Sequence, residues 1–154
     1  MHRSEINEII AQADAFIGSH GYILPPFAYW SPDQMRAPDA SDMRTRGLGW
    51  DITDYGAGRF DEMGLFLFTV RNGSVEDLSS GKGMLYAEKI MISRKDQLSP
   101  MHRHTLKAED IINRGGGDLV IELFAPDSRG GIDREADVSV PTDGQLRTLP
   151  AGGK

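Results

Sequence analysis

The stretch Pro100-Met101-His102-Arg103-His104-Thr105-Leu106-Lys107-Ala108-Glu109, closed by Gly116, decides how the rest of this sequence is read. On a strand, alternate side chains point the same way, so His102 and His104 would project from one face and Arg103 from the other. Two imidazoles then converge without help from distant chain. A turn would return Glu109 from the neighbouring strand. Two neutral imidazoles and one carboxylate form a borderline donor set suited to divalent Mn, Fe, Co, Ni or Zn, and the positions left open can take water or substrate oxygens. Open positions point to catalysis. The remaining histidines, His2 and His20, are read as ordinary polar residues without a role.

The composition leaves these residues few competitors. With 154 residues, 39% hydrophobic and 26% charged, the chain has the make-up of one ordinary soluble domain with enough apolar material for a core. Seventeen Lys and Arg against 23 Asp and Glu give a formal charge of -6, which repels phosphate backbones and anionic membranes. Neither nucleic acid nor membrane is expected as a partner. There is no cysteine, hence no disulfide, thiolate zinc site or thiol nucleophile, and any metal must be held by His, Asp or Glu. The opening MHRSEINEII turns polar and amphipathic at once, unlike a signal peptide, so a cytoplasmic protein is expected.

Upstream of the histidines the pattern first reads as helix. Ser4 can cap it, Glu5 and Glu8 lie near its positive end, Ile6, Ile9, Ile10, Ala13, Phe16 and Ile17 share one face, and Gly18 ends it. Pro25 and Pro26 impose extended chain, and Ser31, Pro32 and Gln34 supply cap, first-turn proline and capping-box partner for a second short helix. From about Leu48 the period changes to two. Strands are predicted over 49–55, 65–70, 84–92, 98–104 and 119–124, with a weaker one at 138–140 and an Asp143-Gly144 turn that starts a hairpin toward Leu146. Asn72-Gly73, Gly81 with Gly83, and Asp96 with Gln97 mark turns between them. The expected architecture is mainly β, a barrel or sandwich over 48–154 with a helical and extended layer, 1–47, packed on it. A closed barrel needs late strands to cover early edges, yet the chain ends on Pro150-Ala151-Gly152-Gly153-Lys154. The barrel is therefore expected to be incomplete, and the sequence to be a fragment or the shortened product of a longer ancestor.

Two imidazoles one residue apart, four residues, a glutamate, six residues and a glycine is a spacing similar to the first motif of the cupins, small jelly-roll barrels with a metal inside. Three further stretches carry the likeness: Pro26-Phe27-Ala28-Tyr29-Trp30-Ser31-Pro32, Gly47-Leu48-Gly49-Trp50-Asp51-Ile52-Thr53-Asp54-Tyr55-Gly56, and Glu109-Asp110-Ile111-Ile112-Asn113-Arg114-Gly115-Gly116-Gly117. Together they resemble the D-lyxose ketol-isomerase family of cupins, from the N-terminal helix to about Pro150. The resemblance implies a cupin jelly-roll barrel and a manganese-type ion held by His102, His104 and Glu109, with Lys107 near the substrate. It implies interconversion of D-lyxose and D-xylulose, and of D-mannose and D-fructose. A homodimer is expected, with no organic cofactor. The sequence departs from the pattern at Asp96, where cupins often have glycine six residues before the first histidine; both residues suit a turn. The second cupin motif, with a fourth ligand histidine, and a later glutamate for proton transfer would lie beyond Lys154.

Other readings stand beside this one. A cupin oxygenase could use the same His, His and Glu on iron, and a non-catalytic metal- or sugar-binding cupin fragment would need no base. Gly81-Lys82 lacks the residues of a phosphate loop and reads as a turn. Gly115-Gly116-Gly117 reads as a tight connection. Trp30, Trp50, Phe27 and Phe66 suit a core better than a sugar pocket. Lys107 beside a metal could orient a substrate hydroxyl, or be a solvated surface lysine.

Overall fold

Apolar residues three and four apart give the chain its first element, helix α1 (Arg3–Ser19), whose buried stripe is Ile9, Ala13 and Ile17. Ser4 does not cap it. The N-cap is His2, whose backbone N–H donates to the Glu5 carboxylate at 3.2 Å, so Glu5 fixes the start two residues earlier. Phe16 lies off the stripe, with its ring 4.4 Å from that of His20. Helix α2 (Pro32–Arg36) has the expected reciprocal cap: Gln34 N–H donates to Ser31 Oγ at 3.3 Å and Ser31 N–H to Gln34 Oε1 at 2.8 Å. A second short helix, α3 (Ser41–Thr45), leads into the sheet.

Three antiparallel strands, β1 (Gly49–Thr53), β2 (Leu65–Arg71) and β3 (Glu88–Ile92), pair with β2 in the centre. Their register sets Trp50 opposite Phe68 and Ile52 opposite Phe66, then Phe66 opposite Ile92 and Phe68 opposite Ile90. One face is therefore wholly apolar, and it meets the α1 stripe, Leu24, Ala28 and Phe60 in the core. Phe68 has no exposed surface; Phe27 stacks on it at 5.6 Å, while the Trp50 indole donates to the Ala28 carbonyl at 2.7 Å. Phe66 is a core residue and Phe27 and Trp50 pack against the core, as expected, whereas Trp30 lies outside that cluster. Between β2 and β3 the turns read from glycine enclose a helix, α4 (Val75–Ser80), capped by Ser74 Oγ and stopped by Gly81 in the left-handed conformation.

The computed structural model describes residues 1–154 and separates them into two units, Met1–Leu106 and Lys107–Lys154. The second contains the small ladder of β4 (Ala125–Pro126) with β5 (Ile132–Asp133) and the hairpin of β6 (Val138–Thr142) with β7 (Gln145–Leu149). Asp143 and Gly144 turn that hairpin at φ 52° and 77°, both left-handed, as the Asp-Gly pair predicted.

The fold is thus mixed helix and antiparallel sheet, and no barrel closes. Two expected strands are missing from it. At 98–104 only Leu98 pairs, bridged to Met63, and Pro100 has no N–H with which to continue a ladder. At 119–124 only Leu123 is bridged, to Gly153; residues with strong β preference do not form a strand where no neighbour pairs with them. The strand expected over 84–92 begins at Glu88. No helix is long and apolar enough to cross a membrane.

Candidate functional site

Asp54, at the end of the β1 segment, organises the approach to the histidines. Its buried carboxylate accepts N–H bonds from Gly56 at 3.0 Å and Gly58 at 3.1 Å and faces the N-terminal ammonium at 4.0 Å. The Gly56 N–H above all, with the ammonium and the Gly58 N–H, pulls its pKa below the ordinary 3.8, against the opposing effect of burial. The loop so bent holds Tyr55 at φ 54°, a left-handed conformation unusual for a residue other than glycine. From there the Tyr55 hydroxyl donates to Ser99 Oγ at 3.3 Å.

Ser99 opens the irregular segment that carries the histidines. The next carbonyl, that of Pro100, lies 2.9 Å from His102 Nδ1. A carbonyl only accepts, so Nδ1 is the donor in this contact, and in a neutral ring the lone pair is then on Nε2. The His102 and His104 rings lie 5.0 Å apart, edge to face. Their proximity was expected from strand alternation; it arises instead in a turn-like stretch, both rings exposed.

In the second unit, Lys107 Nζ donates to Glu109 Oε1 at 3.1 Å, with both side chains partly exposed. Further along, Gly115 N–H donates to Asn113 Oδ1 at 3.0 Å and Asn113 Nδ2 to the Gly117 carbonyl at 2.9 Å, so the triple glycine is a bend closed by Asn113, without the strands on either side that a tight connection between strands required. Within neither unit do three His, Asp or Glu side chains converge as a ligand set. In chemistry the donors fit a divalent cation: two imidazoles, one oriented by its Nδ1 contact with a backbone carbonyl, and a carboxylate seven residues after the first. A cleft of about 480 Å³ in the first unit, lined by Glu5, Gln12, Phe60, Asp61 and Arg94, contains none of these residues.

All 154 residues match the model of a protein family described as D-lyxose isomerase. The chain belongs to that family. Over 160 residues it is 43% identical to a D-lyxose/D-mannose isomerase of Serratia proteamaculans, an alignment that takes in the whole chain and 68% of that protein. A protein of the same description from Escherichia coli O157:H7 is 43% identical over 157 residues, again across the whole chain and 68% of the relative. Membership in the D-lyxose isomerase family makes the chain a sugar isomerase by descent and agrees with the likeness read from its motifs. Sequence reasoning missed Tyr55 and Ser99, which connect the Asp54 loop to the histidine segment. The signal for them was the Asp54-x-Gly56-x-Gly58 spacing, which a carboxylate capping two glycine N–H groups requires.

Proposed function

We propose that the chain is a metal-dependent aldose-ketose isomerase of cupin type that interconverts D-lyxose with D-xylulose and D-mannose with D-fructose. In this reading His102, His104 and Glu109 hold a divalent cation, Mn²⁺ by preference, and Lys107 meets the sugar. The observation that carries it is His102 Nδ1 on the Pro100 carbonyl, which leaves Nε2 as a ready ligand beside the second imidazole. The descriptions of the two relatives supply D-lyxose and D-mannose; the ketoses follow from aldose-ketose isomerisation. The antiparallel sheet β1-β2-β3 supports the cupin assignment to the extent of three paired strands. We extend the proposal to a homodimer located in the cytoplasm, in keeping with the acidic, cysteine-free composition.

A bound divalent cation would polarise the carbonyl and adjacent hydroxyl oxygens of an open-chain sugar. The net change moves a proton from C2 to C1 and another from the C2 hydroxyl to the C1 oxygen, so no redox partner is needed. Among this chain's residues, Lys107 Nζ can donate to a sugar hydroxyl. The test is to load the protein with Mn²⁺, measure bound metal, and follow D-lyxose and D-mannose conversion. His102→Ala and His104→Ala should each lose stoichiometric metal and turnover, and His20→Ala should keep both. Equal metal content in all three variants overturns the ligand assignment, and metal-loaded protein inert on both sugars overturns the isomerase reading for this chain.

A further inference from the structure

The Lys107–Glu109 ion pair is a contact that a ligand carboxylate cannot keep unchanged. A carboxylate oxygen that accepts from an ammonium at 3.1 Å presents part of its lone-pair capacity to that donor. A cation arriving at Glu109 would also face the positive charge of Lys107 a few ångströms away. Both effects oppose cation binding, and neither needs a change of fold, because the two side chains are partly exposed and only two residues apart.

Resting on the metal reading above, we infer that Lys107 is a displaceable counter-ion of Glu109: its ammonium occupies the carboxylate in the metal-free protein, weakens cation binding there, and is released when a cation seats. The released ammonium is then free to donate to the sugar, which sets an order: cation first, sugar second. The charge of Lys107, rather than its size, does the work. An Arg at this position pairs with the carboxylate as well or better, through its planar fork.

The experiment is a titration of the 154-residue chain with Mn²⁺ alone, reading the free ion by its electron paramagnetic resonance signal, so that no turnover is involved. Lys107→Met, which keeps the aliphatic stem, should bind Mn²⁺ about three- to tenfold more tightly than the parent, as expected when a like charge is removed from a partly screened site. Lys107→Gln should tighten binding likewise, and Lys107→Arg should stay within about twofold of the parent. A gain of affinity is a result that damage to the fold does not produce. Mn²⁺ binding equal to or weaker than the parent in both uncharged variants overturns the inference while leaving the metal site standing. No binding in any variant, parent included, overturns both.

Discussion

Phe68 on β2 has no exposed surface and touches the rings of Phe27 and Trp50, whereas Leu106, at the end of the same unit, is 99% exposed. The first belongs to a region ordered by burial, the second to a region ordered by a few hydrogen bonds. From Ser99 to Leu106 the chain is held by contacts such as the Tyr55 hydroxyl on Ser99 and His102 on the Pro100 carbonyl, with no strand and no buried side chain in that stretch. Order of that kind is inexpensive to rearrange. It suits residues that would swing onto the proposed ion, just as the sheet suits residues that stay in place.

The largest effect is expected at the sheet. Phe68→Ala removes a fully buried ring from the centre of the apolar face, and large-to-small changes of this kind cost about 3–5 kcal/mol. Urea unfolding at 25 °C should show a loss in that range, with Leu106→Ala near zero. A loss under about 1 kcal/mol for Phe68→Ala would mean that the face is not a core.

The same contrast explains what could be read from the sequence. Strand β1 was legible because Trp50 and Ile52 alternate with Asp51 and Thr53, and β2 because Leu65-Phe66-Leu67-Phe68-Thr69-Val70 is a short apolar run that follows a glycine and precedes the Asn72-Gly73 turn. The β6–β7 hairpin was legible because Asp143-Gly144 satisfies two left-handed positions locally. Helix α4 was not, since its six residues between glycines look like a turn and its cap, Ser74, is common in both. The stretches 98–104 and 119–124 carry β-type residues, but strand formation depends on a neighbour, which no local pattern specifies. At the site, residue types suggested the chemistry proposed for it, while the Tyr55–Ser99 link depends on an encounter across 44 positions.

In the second unit, where hairpin geometry is set by the turn, the expected effect is smaller and local. Gly144→Val places a β-branched residue at φ 77°, at a cost of about 1–2 kcal/mol. Amide exchange of β6 and β7 should accelerate accordingly, while β2 stays protected. Acceleration of β2 would show that order in the sheet depends on the hairpin, contrary to the contrast drawn above.

The Asp54 loop joins the two kinds of order and should betray itself by pH. The folded carboxyl has a pKa below 3.8, so its ionised form contributes stability above that value, and the contribution is lost as pH falls through the lower folded pKa. Asp54→Asn should lower the melting temperature by a few degrees at pH 6. The gap to the parent should begin to narrow as pH falls past 3.8, where the unfolded chain's carboxyl takes up a proton, and should close at the lower folded pKa. Curves that stay parallel down to pH 3 would remove the ionised carboxylate from the account.

The smallest expected effect sharpens the contrast most. His102 makes one hydrogen bond, to the Pro100 carbonyl two residues away, and its ring is exposed against His104. Removing it opens no cavity and strands no buried donor, so His102→Ala in metal-free buffer should unfold within about 0.5 kcal/mol of the parent. Addition of saturating Mn²⁺ should then raise the parent's melting temperature and leave the variant's unchanged, because a ligand stabilises only the state that binds it. A residue that is neutral to the fold and decisive for the ion belongs to the site alone. A metal-free loss of more than about 2 kcal/mol would instead place His102 among the residues that hold the chain together, and the histidine segment would have to be counted as structure.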